Sequence, residues 1–247
     1  MIEKIIDIAK EAGIETLKYY NDSVKIEYKD DKSPLTEADI ASHNVIVKFL
    51  RNLTPDIPII SEESEIPKYK IRKKWAKYWL IDPLDGTKEF IKKNGEYTIN
   101  IALIIENKPV IGVIYVPVKD ITYYAEKGKG SFKIENEKEI RIFANKVKKD
   151  EALTVLESRS HPSQELENYL KTIKVKNRIQ VGSSLKFCFV AEGKADIYPR
   201  MGPTMEWDTG AGDCIFRNAT EGKENYSPIK YNKRVLKNDN FVIANFV

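Results

Sequence analysis

The sequence holds only two cysteines and two histidines in 247 residues, and each scarcity closes off a class of chemistry. Cys188 and Cys214 both fall in segments that read as apolar-sided helices, so buried free thiols are expected and a disulfide staple is not. His43 and His161 alone cannot build a His-rich zinc centre, and they leave a histidine-based phosphoryl transfer little to work with. Long apolar runs are missing as well. Ile2, Ile5, Ile6, Ala9 and Ala12 recur at helical spacing, but Glu3, Lys4, Asp7, Lys10 and Glu11 interrupt any signal-peptide core, and no stretch would span a bilayer. A cytoplasmic protein is expected, with peripheral membrane association left open. A charge surplus is also lacking: 41 Lys and Arg against 37 Asp and Glu leave +4, and basic clusters such as Arg72-Lys73-Lys74 are short. Without a bulk positive field or a basic groove with aromatic platforms, no nucleic-acid partner is expected.

What is present is an alternation of short apolar runs with acidic or glycine-containing turns. An opening helix precedes a strand around Val24 to Tyr28, and Ser33-Pro34-Leu35-Thr36 leads into a helix to about Asn52. Ile57 to Ile60 and Tyr78 to Ile81 read as buried strands that deliver carboxylates at their ends. Tyr97 to Ile105 and Val110 to Val118 form a predicted hairpin, followed by a strand at Thr122 to Ala125. The lysine-rich stretch from Asn136 to Asp150 is the boundary candidate, dividing an α+β lobe at 1–145 with the acidic loop from an α/β lobe at 146–247. In the second lobe strands near Leu153, Ile179, Ala195 and Phe241 alternate with helices at Ser163, Ser184 and Asp208.

Acids stand at the ends of these elements: Asp39, Glu62-Glu63, Asp82, Asp85 and Asp208. Each alone has an ordinary explanation, since Thr36 with Asp39 fits a capping box and Asp208 fits a helix cap. Asp82-Pro83-Leu84-Asp85-Gly86-Thr87 is harder to explain that way. It joins an apolar strand to a helix, where two carboxylates and a carbonyl can face a hard cation while Gly86 and Thr87 offer N–H groups to a phosphate. A haloacid dehalogenase loop has its aspartates two apart, and here they are three apart.

That spacing resembles the inositol monophosphatase superfamily, whose acidic pair, Asp-Pro-Leu/Ile-Asp-Gly-Thr loop and later Trp-Asp occur here as Glu62-Glu63, Asp82 to Thr87 and Trp207-Asp208. WLIDPLDGTKEF from Trp79, NGEYTINIALIIENKPVIGVIYVPV from Asn94, GSSLKFCFVAEG from Gly182 and Tyr198-Pro199-Arg200 narrow the resemblance to CysQ-type 3′(2′),5′-bisphosphate nucleotidases. The C-terminal end departs from the pattern. Gly210-Ala211-Gly212-Asp213 stands where alanines are usual, the tail looks shortened, and Gly210 is expected to weaken its helix by roughly 1 kcal/mol.

The resemblance implies a layered αβαβα sugar-phosphatase fold and hydrolysis of the 3′-phosphate of adenosine 3′,5′-bisphosphate to AMP. It leaves open whether 3′-phosphoadenosine 5′-phosphosulfate is cleaved as well, and it implies a place in sulfur assimilation and lithium sensitivity. Inositol monophosphatase or fructose-1,6-bisphosphatase activity on the same fold is the alternative. By similarity Glu62, Asp82, the Leu84 carbonyl, Asp85 and Asp208 would ligate Mg²⁺, with Asp39 at a further or weaker position. Asp39, Thr87 and Glu62 would be catalytic, Thr87 accepting the proton of the attacking water under the orientation of Asp39. Gly86, Thr87, His161, Ser183, Lys186, Arg200 and Asp208 would bind the nucleotide. The resemblance leaves open an oligomer and the number of metals bound at once.

Overall fold

A computed structural model describes residues 1–20, 26–28, 34–148, 150–160, 163–220 and 229–247. The chain opens with helix α1 (Ile2–Tyr20), strands β1 (Ile26–Tyr28) and β2 (Pro34–Thr36), helix α2 (Glu37–Leu53), strand β3 (Ile59–Ser61) and the single turn α3 (Tyr69–Arg72). Then follow β4 (Lys77–Asp85), α4 (Thr87–Ile91), β5 (Thr98–Ile105), β6 (Lys108–Val116), β7 (Ile121–Glu126), β8 (Gly130–Glu135) and β9 (Lys138–Ile142). The remainder comprises β10 (Lys146–Val147), β11 (Ala152–Ser158), α5 (Gln164–Leu170), β12 (Lys174–Val181), α6 (Leu185–Ala191), β13 (Ile197–Arg200), α7 (Glu206–Ala219) and β14 (Phe241–Phe246).

Two sheets result. Strands β3 to β9 form a seven-stranded sheet in sequence order, parallel only between β3 and β4. The second sheet has five strands in the order β10-β14-β13-β11-β12, and mixes parallel with antiparallel pairs. Because side chains alternate across a strand, a strand covered on both faces is apolar on both, which is why the middles of β4 to β6 read as apolar runs. Trp79, Ile81, Ile99, Ile101, Val113 and Tyr115 pack under α1 and α2, whereas Tyr78, Leu80, Ala102, Ile104 and Ile114 pack against α7. The second sheet repeats the arrangement. Leu156, Tyr198 and Ile243 face the α6–α7 layer, and Val155, Ile197 and Ala244 face Leu166 and Leu170 of α5. The order of layers is therefore α1/α2, first sheet, α6/α7, second sheet, α5.

Two expectations are corrected. The polar stretch after Asn136 holds the β9 edge strand and then β10, the change from the first sheet to the second falls between them, and its charges are those of an edge that must stay in water. Residues 138–141 are all exposed, so no alternation betrayed the strand. Asp208 does not precede α7; it is the third residue of the helix, which starts at Glu206. Gly210 is not merely a weak point. A Cβ there would lie 3.0 Å from Leu80 Cδ2 and 3.2 Å from Ala102 Cβ, so the missing side chain lets α7 sit on β4 and β5. The opposite surface is cut away too: a Cβ on Gly112 of β6 would lie 2.4 Å from the Ala211 carbonyl oxygen and 2.7 Å from Cys214 Cβ.

The C-terminal segment braces the same helix. Asn232 and Lys233 donate their backbone N–H groups to the buried Glu206 carboxylate at 2.7 and 3.0 Å, and the Asn238 amide reaches the Met205 carbonyl at 2.9 Å. The first turn of α7 is thereby fixed from both sides. Cys188 and Cys214 are buried free thiols, as expected, with burial pushing both upward in pKa.

Gly112→Ala is expected to force α7 off the sheet and to lower the unfolding free energy by about 1–3 kcal/mol. Thermal unfolding checks this, and an unchanged Tm would mean that the helix–sheet contact is slacker than the geometry indicates.

Candidate active site

The acidic loop owes its geometry to one extra residue. Along the β4–β5 ladder Asp82 pairs with Asn100 and Asp85 with Thr98, so three steps on one strand match two on the other. On a regular strand two residues three apart face opposite ways; the bulge brings both aspartates toward one acidic cluster. Pro83 suits a bulge because it has no N–H to leave unpaired. Its carbonyl accepts from Ser42 Oγ at 2.6 Å, and the Leu84 N–H donates to Asp82 Oδ1 at 3.1 Å. The Leu84 side chain is buried with Tyr20, Ala38, Phe90 and Tyr97, which pins the residue whose carbonyl was expected to be a ligand. Gly86 follows with φ +93°, a left-handed conformation that favours glycine, and a Cβ there would meet Glu89 Oε2 at 3.2 Å and Ser183 Cβ at 3.3 Å.

Other elements deliver the remaining acids to this loop. Glu62 leaves the end of β3, its N–H bonded to the Ile81 carbonyl at 3.2 Å. Asp208, in the first turn of α7, accepts the Met205 N–H on Oδ2 at 2.9 Å. Asp39 plays the same part for α2, accepting the Thr36 N–H at 2.8 Å and the Thr36 hydroxyl at 2.6 Å on Oδ2. Its other oxygen, Oδ1, accepts from Thr87 Oγ1 at 3.4 Å. Both aspartates thus cap helices with one oxygen, and Asp39 offers its other to Thr87.

Carboxylate oxygens of Glu62, Asp82 and Asp208 all lie within 4.8 Å of one another. Burial raises the Asp82 and Asp208 pKa values well above the usual range, and their acidic neighbours raise them further: Glu62 and Asp85 act on both. Burial likewise raises Asp85, opposed by a Ser184 hydrogen bond and by Lys186. Asp39 is pushed up to about 7, again mainly by burial and against its Thr36 bonds. Like charges held this closely in a low-dielectric site call for a counter-ion, and an all-oxygen donor set suits a hard divalent cation.

Beside the cluster lies a cavity of about 270 Å³ whose wall includes Asp85, Gly86, Thr87, Ser183, Lys186, Arg200 and Asp208. Every residue expected to bind substrate is on it except His161, which lies outside the described residues. Lys186 is not a solvated helix-start lysine. It is buried, donates to the Ser183 and Val181 carbonyls at 2.6 and 3.1 Å, and is lowered to about 8 by burial, with Asp85 opposing and Arg200 reinforcing the shift. Arg200 donates through Nη2 to the Pro203 carbonyl at 2.8 Å, and its buried Nε has no acceptor among the described residues. The cavity is therefore lined by acids (Asp85, Glu89 and Asp208) together with three basic residues (Lys88, Lys186 and Arg200). A larger cleft of about 380 Å³ between α1 and α2, lined by Ile8, Phe49 and Leu53, contains none of these residues.

Two polar residues went unnoticed in the sequence. Thr98 Oγ1 donates to Asn100 Oδ1 at 3.0 Å, Asn100 Nδ2 donates to Ser184 Oγ at 2.7 Å, and the Ser184 hydroxyl bonds Asp85 Oδ2. This relay orients Asp85 across the layers. The signal was available, because Thr98 and Asn100 are the polar positions of an otherwise apolar strand, and buried polar groups need partners.

The chain matches the inositol monophosphatase family over residues 1–245. It is 49% identical over 217 residues to the 3′(2′),5′-bisphosphate nucleotidase CysQ of Salmonella typhimurium, covering 87% of this chain and 86% of that one. The corresponding Buchnera aphidicola protein is 45% identical over 238 residues, covering 92% and 88%. The crystal structure of CysQ from Bacteroides thetaiotaomicron superposes with a TM-score of 0.84 at 42% identity, covering 99% of this chain and 97% of that one. An inositol monophosphatase from Thermotoga maritima shares the fold at 24% identity, with a TM-score of 0.78 and 98% and 90% covered.

The raised carboxylates carry a stability consequence with a definite sign. Folded chains stripped of metal hold more protons than unfolded ones above the ordinary Asp value of 3.8, so the stabilisation is fully present below that value and is lost as pH rises, through about 7 for Asp39. Chelator-treated protein is expected to lose Tm from about pH 4 to about pH 7, and a saturating divalent cation to flatten that slope. A Tm that climbs through this window in chelator would contradict the burial and mutual repulsion of these carboxylates.

Proposed function

The chain belongs to the inositol monophosphatase family, and from that premise we propose that it hydrolyses the 3′-phosphate of adenosine 3′,5′-bisphosphate to AMP and phosphate, with Mg²⁺ as its cation. The carrying observation is one cavity that borders the carboxylate cluster through Asp208 and also holds Lys186 and Arg200, a mixed lining that suits a ligand bearing two phosphates. The similarity to CysQ nucleotidases supports that substrate over an inositol or sugar phosphate, and fits a role in sulfur assimilation. 3′-Phosphoadenosine 5′-phosphosulfate offers the same geometry. Among the described residues no helix is long and apolar enough to cross a membrane, and we place the enzyme in the cytoplasm.

Glu62, Asp82, the Leu84 carbonyl, Asp85 and Asp208 would hold the cation. When bound, it neutralises charge on the phosphoryl oxygens and makes water more acidic. The protein's own groups do the rest. Thr87 Oγ1 accepts the proton of the water that attacks phosphorus in line and passes its own to Asp39 Oδ1, the carboxylate oxygen it already faces. The P–O3′ bond breaks and the ribose 3′-oxygen leaves with a proton from solvent. Lys186 and Arg200 hold the 5′-phosphate.

Phosphate release with Mg²⁺ is expected to be fastest from adenosine 3′,5′-bisphosphate among that substrate, inositol 1-phosphate and fructose 1,6-bisphosphate, and to vanish in excess chelator. Preference for either alternative would overturn the substrate. Arg200→Ala should lose about tenfold to a hundredfold in kcat/KM on the bisphosphate, as expected for a charged hydrogen bond, and far less on adenosine 3′-monophosphate. Equal losses would make Arg200 a support of the fold. Asp208→Asn keeps an acceptor for the Met205 N–H but removes the charge, so turnover should fall by orders of magnitude without a fall in the Tm of chelator-treated protein.

A further inference from the structure

We infer that Glu96, held by Arg159, is a positioning residue for the substrate cavity, acting through the turn at residues 182–184. The inference rests on the phosphatase reading and assigns work to a residue that does not line the cavity. Glu96 lies between α4 and β5, and its carboxylate is gripped by the Arg159 guanidinium through two parallel bonds of 2.8 Å. The same carboxylate accepts the Gly182 N–H at 2.8 Å, and the Glu96 carbonyl accepts the Ser183 hydroxyl at 2.7 Å. Arg159 also donates to the Gln180 carbonyl at 2.7 Å. The chain from 180 to 183 is thus fastened at three places, two by the side chains of the ion pair and one by the Glu96 backbone carbonyl.

The turn needs such fastening. Ser183 has φ +47°, a left-handed conformation that L side chains avoid. Gly182 is pressed so closely onto its neighbours that a Cβ would lie 2.5 Å from Glu89 Cγ and 3.2 Å from Glu96 Cβ. From this turn two site groups take their places. Ser184 reaches Asp85, and the Lys186 ammonium is held by the carbonyls of Val181 and Ser183, the residues on either side of Gly182. Moving the turn therefore moves the cation expected to face the second phosphate. Side chains of Arg159 and Glu96 are 39% and 15% exposed, so solvent screens the pair and its main effect is on placement, not on global stability.

Glu96→Ala is expected to raise KM for adenosine 3′,5′-bisphosphate about tenfold or more while kcat changes by less than about threefold, because Asn100 still holds Asp85. Its Tm should stay within a few degrees of the parent's. Glu96→Gln retains an acceptor for the Gly182 N–H and should recover most of the loss. Arg159→Ala should raise KM less, and the double variant should be no worse than Glu96→Ala alone, since both act through one clamp. An unchanged KM in Glu96→Ala, or a Gln variant as impaired as the Ala variant, overturns the assignment. Should Glu96→Ala not fold, Glu96→Gln and Arg159→Ala decide it by the same KM-against-kcat split: a KM rise at preserved kcat in Arg159→Ala supports the clamp, and parental KM in both refutes it. A parent enzyme that spares the bisphosphate but cleaves inositol 1-phosphate or fructose 1,6-bisphosphate would refute the substrate alone, and the KM ratios would then be taken on the substrate it cleaves.

Discussion

Repulsion among Glu62, Asp82, Asp85 and Asp208 is the constraint around which the molecule is arranged. Left to themselves, buried carboxylates separate or take up protons. Here each is prevented from retreating by a different element: Glu62 by the end of β3, Asp82 and Asp85 by the β4 bulge, Asp208 by the first turn of α7. The close seating of α7 on the first sheet, made possible by Gly112 and Gly210, is part of the same provision, since Asp208 reaches the acidic loop only if its helix lies low on the strands. The C-terminal residues that bond Glu206 and Met205 then keep that helix start from lifting.

The two sheets divide the labour. The first sheet and its loops carry most of the acids, and the second presents Arg200 at the end of β13 and the turn between β12 and α6. Neither set of side chains makes a complete site. The Thr98-Asn100-Ser184-Asp85 relay and the Glu96-Arg159 pair cross from one to the other, so the spacing between the acidic loop and the turn before α6 is set by contacts between layers and not by any single loop.

Local features were legible in the sequence and long-range ones were not. Asp82 to Thr87 could be read because strand end, turn glycine and helix start are contiguous. The apolar strands β4 to β6 and the capping residues Thr36 and Asp39 were readable for the same reason. β9 escaped because an edge strand in water needs no alternation, and Gly210 was misjudged because helix propensity ignores the sheet beneath. Asn100, Ser184, Glu96 and Arg159 gain meaning only from partners 63 to 99 residues away. Lys186 was placed at the site by family likeness, yet its burial and its carbonyl partners required the folded chain.

The bulge in β4 turns a matter of shape into a matter of counting. On an ordinary strand, side chains that work together stand an even number of positions apart, because parity decides the face. Asp82 and Asp85 break that rule, and the extra residue restores what odd spacing would otherwise undo. Deleting one residue between them would repair the hydrogen-bond ladder and still leave a loop short of the contacts through Pro83 and Leu84 that aim it. Odd-numbered spacing between cooperating groups at a strand's end is thus an arithmetic fingerprint of a bulge, open to inspection in any sequence before a fold is known.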